Sequence, residues 1–523
     1  MGETPTERLT FLMRRSLLAA STAATALAAA LSLAVNTPAA AGAGPGHDPE
    51  PWVKRSAVMR ANPKDFHSLC GRQKDGVPER RTFPLFEHQK GFTAIEDFKR
   101  QDPDGTVFWS GHDPRHPENT ISVSVIGACT AGPVTLSGEI EAGFRQYLYK
   151  PVAKRPGRYL LQEIDTLKLP PSGQGVDTVT VPPTRSVRPH KPGLRIATPD
   201  NPAAIDIVVA YTPATVTELG SASAVQSRIR YGVNQLNRAL ATSQVPASVH
   251  VVNTYETAAT GVARENAGTL LSMISNPLNP TLGVTAAAQR TAFGADLVAL
   301  IASIPAEDSS GQANLPTPAG PGTSNNAFSV TSAFSITAWE NLAHEIGHNF
   351  GLKHDRKTVV NQGGTTPVGT DNYGWVTADQ RHHTIMAYSS ACTLACTVVN
   401  QYSNTVNLLN GQALGDENNN NAANATRAAE FLAGYRTSQV TNRVSLTMTS
   451  TPPAGGSLTP SEYGPYDPGT QVTVTAETSP GFRLTGWEVD GVLQTDTTPN
   501  YTITMNANHT INAVFAEIPE PTR

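Results

Sequence analysis

His344-Glu345-Ile346-Gly347-His348-Asn349-Phe350-Gly351-Leu352-Lys353-His354-Asp355 is the stretch around which the rest of the chain is organised. Residues four apart on an α-helix share a face, so His344 and His348 can present both imidazoles to one ion while Glu345 stands on the flank. Gly351 can adopt a positive φ, end the helix and turn the chain so that His354 arrives as a third nitrogen. Three histidines with a fourth position open to water make a catalytic zinc site, where a carboxylate takes a proton from the water and passes it to the leaving amine. Glu345 is the candidate base, and one catalytic Zn2+ is the implied cofactor. A surface helix of solvated His and Glu would leave both the spacing and the glycine unexplained.

These twelve residues resemble the extended zinc signature of the metzincin metalloendopeptidases. The resemblance implies a methionine turn downstream, and Thr384-Ile385-Met386-Ala387-Tyr388 supplies one about thirty positions after His354. Met386 is then expected beneath the metal as an apolar floor and not as a ligand. Tyr388 matches a tyrosine that in some metzincins swings toward the metal and stabilises the oxyanion; packing is the alternative role.

Ahead of this stretch, Ile205 to Tyr211 is an apolar run stopped by Thr212-Pro213, the pattern of a buried strand. Val225, Ile229, Val233, Leu236 and Leu240 recur on one face of a helix. Val249 to Val252 and Asp296 to Ala302 read as strands, and Ala286 to Phe293 as a short helix. The expected fold is a mixed α/β (α+β) catalytic domain over residues 201–438, with a loop-rich lower lobe after the zinc helix. This region is similar to the peptidyl-Asp metalloendopeptidase group and related reprolysin-like bacterial enzymes. The likeness rests on Ile207 to Pro213, Phe293 to Val298, the zinc helix, Thr384 to Tyr388, and Tyr402-Ser403-Asn404. Where relatives tend to carry a cysteine pair, Ser310 and Ser335 stand, and Thr405 replaces a proline. Cleavage preference next to Asp is what these departures put in doubt, since 310–335 should form part of the cleft wall.

The flanks have their own character. Arg14-Arg15, an Ala-rich apolar run from Leu17 to Val35 and the small residues Ala39 to Ala43 read as a signal peptide over 1–43, compatible with Sec or twin-arginine export. An uncleaved anchor is the alternative. Residues 44–200 hold β-type segments at 105–110, 120–126, 134–141 and 159–165 and end in a Pro- and Arg-rich tract from Val181 to Pro202. A β-rich domain between an export signal and a protease is expected to be a propeptide; a permanent binding domain is the alternative. After Arg436, alternating segments predict a small all-β module over 443–517, whose Gly455-Gly456-Ser457, Gly486-Trp487 and Ala513-Val514-Phe515 resemble internalin B-repeat-like modules. Such modules imply weak cell-surface or matrix contact.

Four cysteines occur. Cys70 with Cys129 and Cys392 with Cys396 suit two local disulfides in an exported protein. The other reading makes Cys70 a thiolate capping zinc in a zymogen. His382 and His383 are expected as surface or metal-supporting residues, Asp355 as a helix-end carboxylate or one that orients a ligand histidine and is not itself a ligand, and no spaced carboxylate pattern supports calcium at Asp416 to Asn421. A net charge of −4 with 16% charged residues points away from nucleic acid and anionic membranes. With 40 Pro and 42 Gly, the composition suits a loop-rich extracellular protein. The sequence therefore reads as a secreted, monomeric zinc endopeptidase made as a zymogen and acting on proteins or peptides. The rival reading is an inert, or only self-processing, adhesion protein on the same scaffold.

Overall fold

The computed structural model describes residues 52–71, 79–86, 90–102, 104–143, 145–165, 178–181, 203–262, 265–305, 308–393, 396–494 and 496–518. The expected export segment and residues 182–202 of the tract ahead of the catalytic region lie outside the described residues. No helix among the described residues is long and apolar enough to cross a membrane.

An antiparallel sheet of eight strands is built from residues 53–165, in the order 53–60, 158–165, 145–151, 135–142, 116–126, 107–113, 92–101, 80–83. One face gathers Trp109, Phe83, Leu69, Val123 and Tyr149 into a core. The Cys70–Cys129 disulfide ties a short helical turn to this sheet, so Cys70 is a bonded cystine and not a thiolate available to a metal. Cys392 is likewise bonded to Cys396.

The central unit is a six-stranded sheet in the order 247–256, 203–211, 297–302, 328–332, 311–316, 178–181. The first four strands are mutually parallel, 311–316 runs antiparallel to 328–332, and 178–181 pairs parallel with 311–316. The helices are α1 (Pro213–Leu219), α2 (Ala222–Thr242), α3 (Ala267–Ser275), α4 (Gly283–Phe293), α5 (Asn341–Asn349), α6 (Arg356–Asn361) and α7 (Asn421–Leu432). Thr212 caps α1 and Ser221 caps α2, each accepting a backbone N–H of the first turn. The apolar face of α2 predicted from periodicity is buried with Ile205, Ile207, Val209 and α5 in one core; α3, α4 and the alternate residues of the same strands form a second core on the other side.

Two features differ from the sequence reading. The strands 311–316 and 328–332 lie in the segment expected to form part of the cleft wall, where the sequence reading named no strand, and strand 178–181 belongs to the central sheet although it precedes the catalytic region in sequence. The C-terminal residues form two facing sheets, 446–451 with 509–517, 482–489 and 492–494, and 456–460 with 470–478 and 500–505, around Trp487 and Val474. This unit is pinned to the central one by a buried Arg443–Asp206 ion pair at 2.7 Å and by Asn234 donating to the Ser461 carbonyl at 2.7 Å.

Candidate metal centre

Helix α5 is buried along its whole length. It begins beyond two residues held at positive φ, Trp339 (54°) and Glu340 (57°), a conformation that costs non-glycine residues of order 1–3 kcal/mol each and persists only where the surroundings impose it. It ends at Gly351, φ 84°. There the Gly351 amide donates to His348 O (2.8 Å) and the Leu352 amide to Gly347 O (3.1 Å), a left-handed glycine stop that reverses the chain.

The result brings His344, His348 and His354 together. Their Nε2 atoms lie 3.1 Å (344 to 348), 3.0 Å (348 to 354) and 3.2 Å (344 to 354) apart, and all three side chains are buried. The other ring nitrogen of each faces an oxygen: Nδ1 of His344 lies 2.8 Å from Ile385 O, that of His348 2.7 Å from Leu352 O, and that of His354 3.0 Å from Gln362 Oε1. Carbonyl oxygens only accept, so Nδ1 carries the proton in each ring and Nε2 presents its lone pair. Three imidazoles with converging Nε2 atoms form a metal donor set with its supporting hydrogen bonds in place. Tetrahedral coordination at 2.0–2.1 Å would separate such nitrogens by about 3.3 Å, so the residues fit a small divalent ion with little adjustment.

Glu345 is 1% exposed and lies against Gly311 on strand 311–316. A Cβ on Gly311 would sit 2.6 Å from its Cδ and 2.7 Å from its Cγ, closer than real contacts allow; the glycine is therefore the cradle of the carboxylate. Met386 is fully buried, and a Cβ on Gly347 would lie 2.7 Å from its Sδ, so the one glycine of α5 lets the methionine pack directly against the helix. Tyr388 sits beside two of the rings, its centroid 5.5 Å from His344 and 4.7 Å from His354.

Further residues support the triad, and Gln362 among them was not named by the sequence reading. Gln362 closes α6 and reaches back to His354. Asp355 caps α6 by accepting from Thr358 N (2.9 Å) and also accepts from Tyr388 N (3.2 Å), tying the third histidine's loop to the segment 384–388. Tyr402 donates to Ala343 O in α5 at 2.8 Å. Ser310 and Ser335 do come together: Asn341 at the head of α5 donates to Ser310 O (2.8 Å) and Ser335 Oγ (2.9 Å), a hydrogen-bonded link where a covalent one was expected of relatives. His383 is buried and held neutral by burial, at about 4, bonded to Thr384 O; His382 is half-buried on the strand beside it. The Asp416–Asn419 loop is occupied by Arg356, which donates to Asn419 Oδ1, Thr370 O and Asn418 O and stacks on Tyr373, so a guanidinium meets the carbonyls a calcium ion would need.

A family model described as metallo-peptidase family M12 matches residues 201–404, and one described as a divergent InlB B-repeat domain matches 446–519. Among curated proteins, the chain is similar to peptidyl-Asp metalloendopeptidases from two strains of Stenotrophomonas maltophilia. One is 24% identical over 333 residues, 60% of this chain and 73% of the relative; the other is 25% identical over 328 residues, with the same two shares. Solved structures matched include a chaperone-substrate complex (TM-score 0.34, 19% identity, 45% of this chain and 39% of that one). Metalloproteinase-II from Bacteroides fragilis also matches (TM-score 0.32, 13% identity, 53% and 82%); at these scores neither bears on the fold. The histidine triad lies inside the first matched segment, so residues 201–404 carry a metallopeptidase domain similar to family M12, followed at 446–519 by one similar to the divergent InlB B-repeat domain.

Proposed function

We propose that the protein is a secreted zinc endopeptidase made as a zymogen, with His344, His348 and His354 as the zinc ligands and Glu345 as the general base. The observation that carries this reading is the convergence of the Nε2 atoms of three buried histidines, two of them on the helix that also carries a buried carboxylate seated on a glycine. When bound, zinc supplies Lewis-acid polarisation of the scissile carbonyl and acidifies water. Glu345 takes the water proton and returns it to the departing amine; its buried position on the helix flank keeps it within one turn of the ligands. Met386 stiffens the floor through Gly347, and Ile385 O fixes the ring of His344. Tyr388, whose ring lies beside His344 and His354, is assigned the role of donating its hydroxyl to charge developing on the carbonyl oxygen, with packing against the two imidazoles as the alternative role.

The zymogen part draws on strand 178–181. It lies upstream of the catalytic region yet fills the sheet edge at 311–316, the strand whose Gly311 cradles Glu345. A peptide seeking that edge would have to displace it. The 1–43 leader supports export, and the C-terminal module supports weak surface contact. An inert adhesion scaffold has no need of Glu345 in a fitted cradle.

The test is digestion of a mixed peptide library by the purified mature protein, with and without chelator, beside Glu345→Ala. Chelator-sensitive cleavage lost in the variant supports the reading, and the cut sites show whether the Asp preference named for the relatives extends to this chain. A zinc-loaded, correctly processed protein that cuts nothing refutes it.

A further inference from the structure

Two acidic side chains of strand 135–142 leave their own domain and enter the central one. Glu139, 4% exposed, is ion-paired with Arg228 of α2, 2% exposed, and accepts from Thr337 Oγ1 as well. Glu141 Oε1 accepts from the Trp339 amide at 3.1 Å. Around them Asp102 accepts from Ser227, and Tyr231 sits against Phe98 and Phe108 with centroids 5.8 and 5.1 Å away. The glycine that ends α1, Gly220, leans on Ile126 and Pro151. A desolvated charge pair together with a cluster of aromatic rings on the same contact has the composition of a binding hot spot. Separating the partners would strand one charge in an apolar surrounding, so the contact resists opening. All of these contacts fall on α1, α2 and the turn 337–339, rather than on the three histidines.

We infer that residues 52–165 stay bound to the metallopeptidase domain as a non-covalent subunit after the chain is cut within 182–200. The cut itself rests on the propeptide reading above; the contact does not depend on enzymatic activity. Cleavage would then free the strand 178–181 to leave the sheet edge while the eight-stranded domain remains on α2. The bound domain would keep its hydrogen bonds to Thr337 and Trp339, and so hold the positive-φ turn from which the metal helix starts.

The experiment places a recognition sequence for an exogenous site-specific protease within 182–200 of the full chain carrying Glu345→Ala, which excludes self-digestion. After cutting, the two fragments are run on gel filtration at low micromolar load. Co-elution is expected. Glu139→Ala should weaken the complex by at least about 30-fold and release the fragments. If that variant does not fold before cutting, Glu139→Gln, which keeps the size and loses the charge, is read in its place. Fragments of the Glu345→Ala chain that separate overturn the inference. Fragments that remain together equally tightly in the Glu139 variant overturn the assignment of the contact. Because the cut is external, a protein unable to hydrolyse any peptide would still give a clear answer.

Discussion

Gly311→Ala tests the catalytic geometry without touching a ligand or the base. The residue lies in a regular strand outside the positive-φ glycines, so alanine introduces no backbone strain. Its methyl group would meet Glu345 Cδ at 2.6 Å. That is about 0.8 Å short of the 3.4 Å at which ordinary contact begins, so the carboxylate must move by most of an ångström. A misplacement of that size costs of order 10²-fold in rate, whereas removing a general base costs 10²–10⁴-fold. The expected result is kcat/KM lowered about 100-fold with zinc content and circular dichroism unchanged, since the three histidines are held by other partners. The assay is hydrolysis of a quenched peptide alongside zinc quantification. Activity within threefold of the parent, in a folded and zinc-loaded variant, would show that Glu345 is not the base or that its position is immaterial.

Gln362→Ala removes the acceptor of His354 Nδ1 and should lower zinc affinity 10- to 100-fold in chelator competition, with Gln362→Glu restoring much of it. Gly347→Ala would press on Met386 Sδ and should cost about 1–3 kcal/mol of stability, read as a lower unfolding midpoint. Removing the metal should lower the unfolding temperature by an amount that grows with added zinc in the reverse titration. The domain contact should depend on pH. Burial first, then Glu139 and Glu340, raise Glu141 from 4.5 to about 8, against the bond from Trp339 N. A released domain returns Glu141 to an ordinary carboxylate, so docking takes up a proton. The contact is therefore strongest near pH 5, weakens as pH rises, and levels off above about 8. Gel filtration of the cut chain across that range reads this directly; tighter association at pH 8 than at pH 5 would contradict it.

How much of this was legible in the sequence follows from what each residue encodes. His344, His348 and Gly351 carry their roles in helical spacing and in the freedom of glycine, so the triad could be read before any coordinates. The α2 face was legible for the same reason, as periodicity. Strand 311–316, Gly-Gln-Ala-Asn-Leu-Pro, has no β-branched residue and takes its extended form from pairing with 328–332, a tertiary fact. Gln362 has no local signature, because its role is set by where α6 returns the chain. The domain contact was hidden for a related reason: Glu139 and Glu141 look like the solvated positions of a strand until α2 and the turn 337–339 meet them.

The central claim is that one zinc ion on His344, His348 and His354 supports peptide hydrolysis. Apo-protein titrated with zinc, with bound metal and rate of peptide cleavage measured on the same samples, tests it most directly. Activity rising in proportion to bound zinc and saturating at one ion per chain, with no saturable uptake in a His348→Ala variant, is the predicted result. Full activity in the apo-protein, or none at one bound zinc in chain freed of residues 178–181, would contradict it.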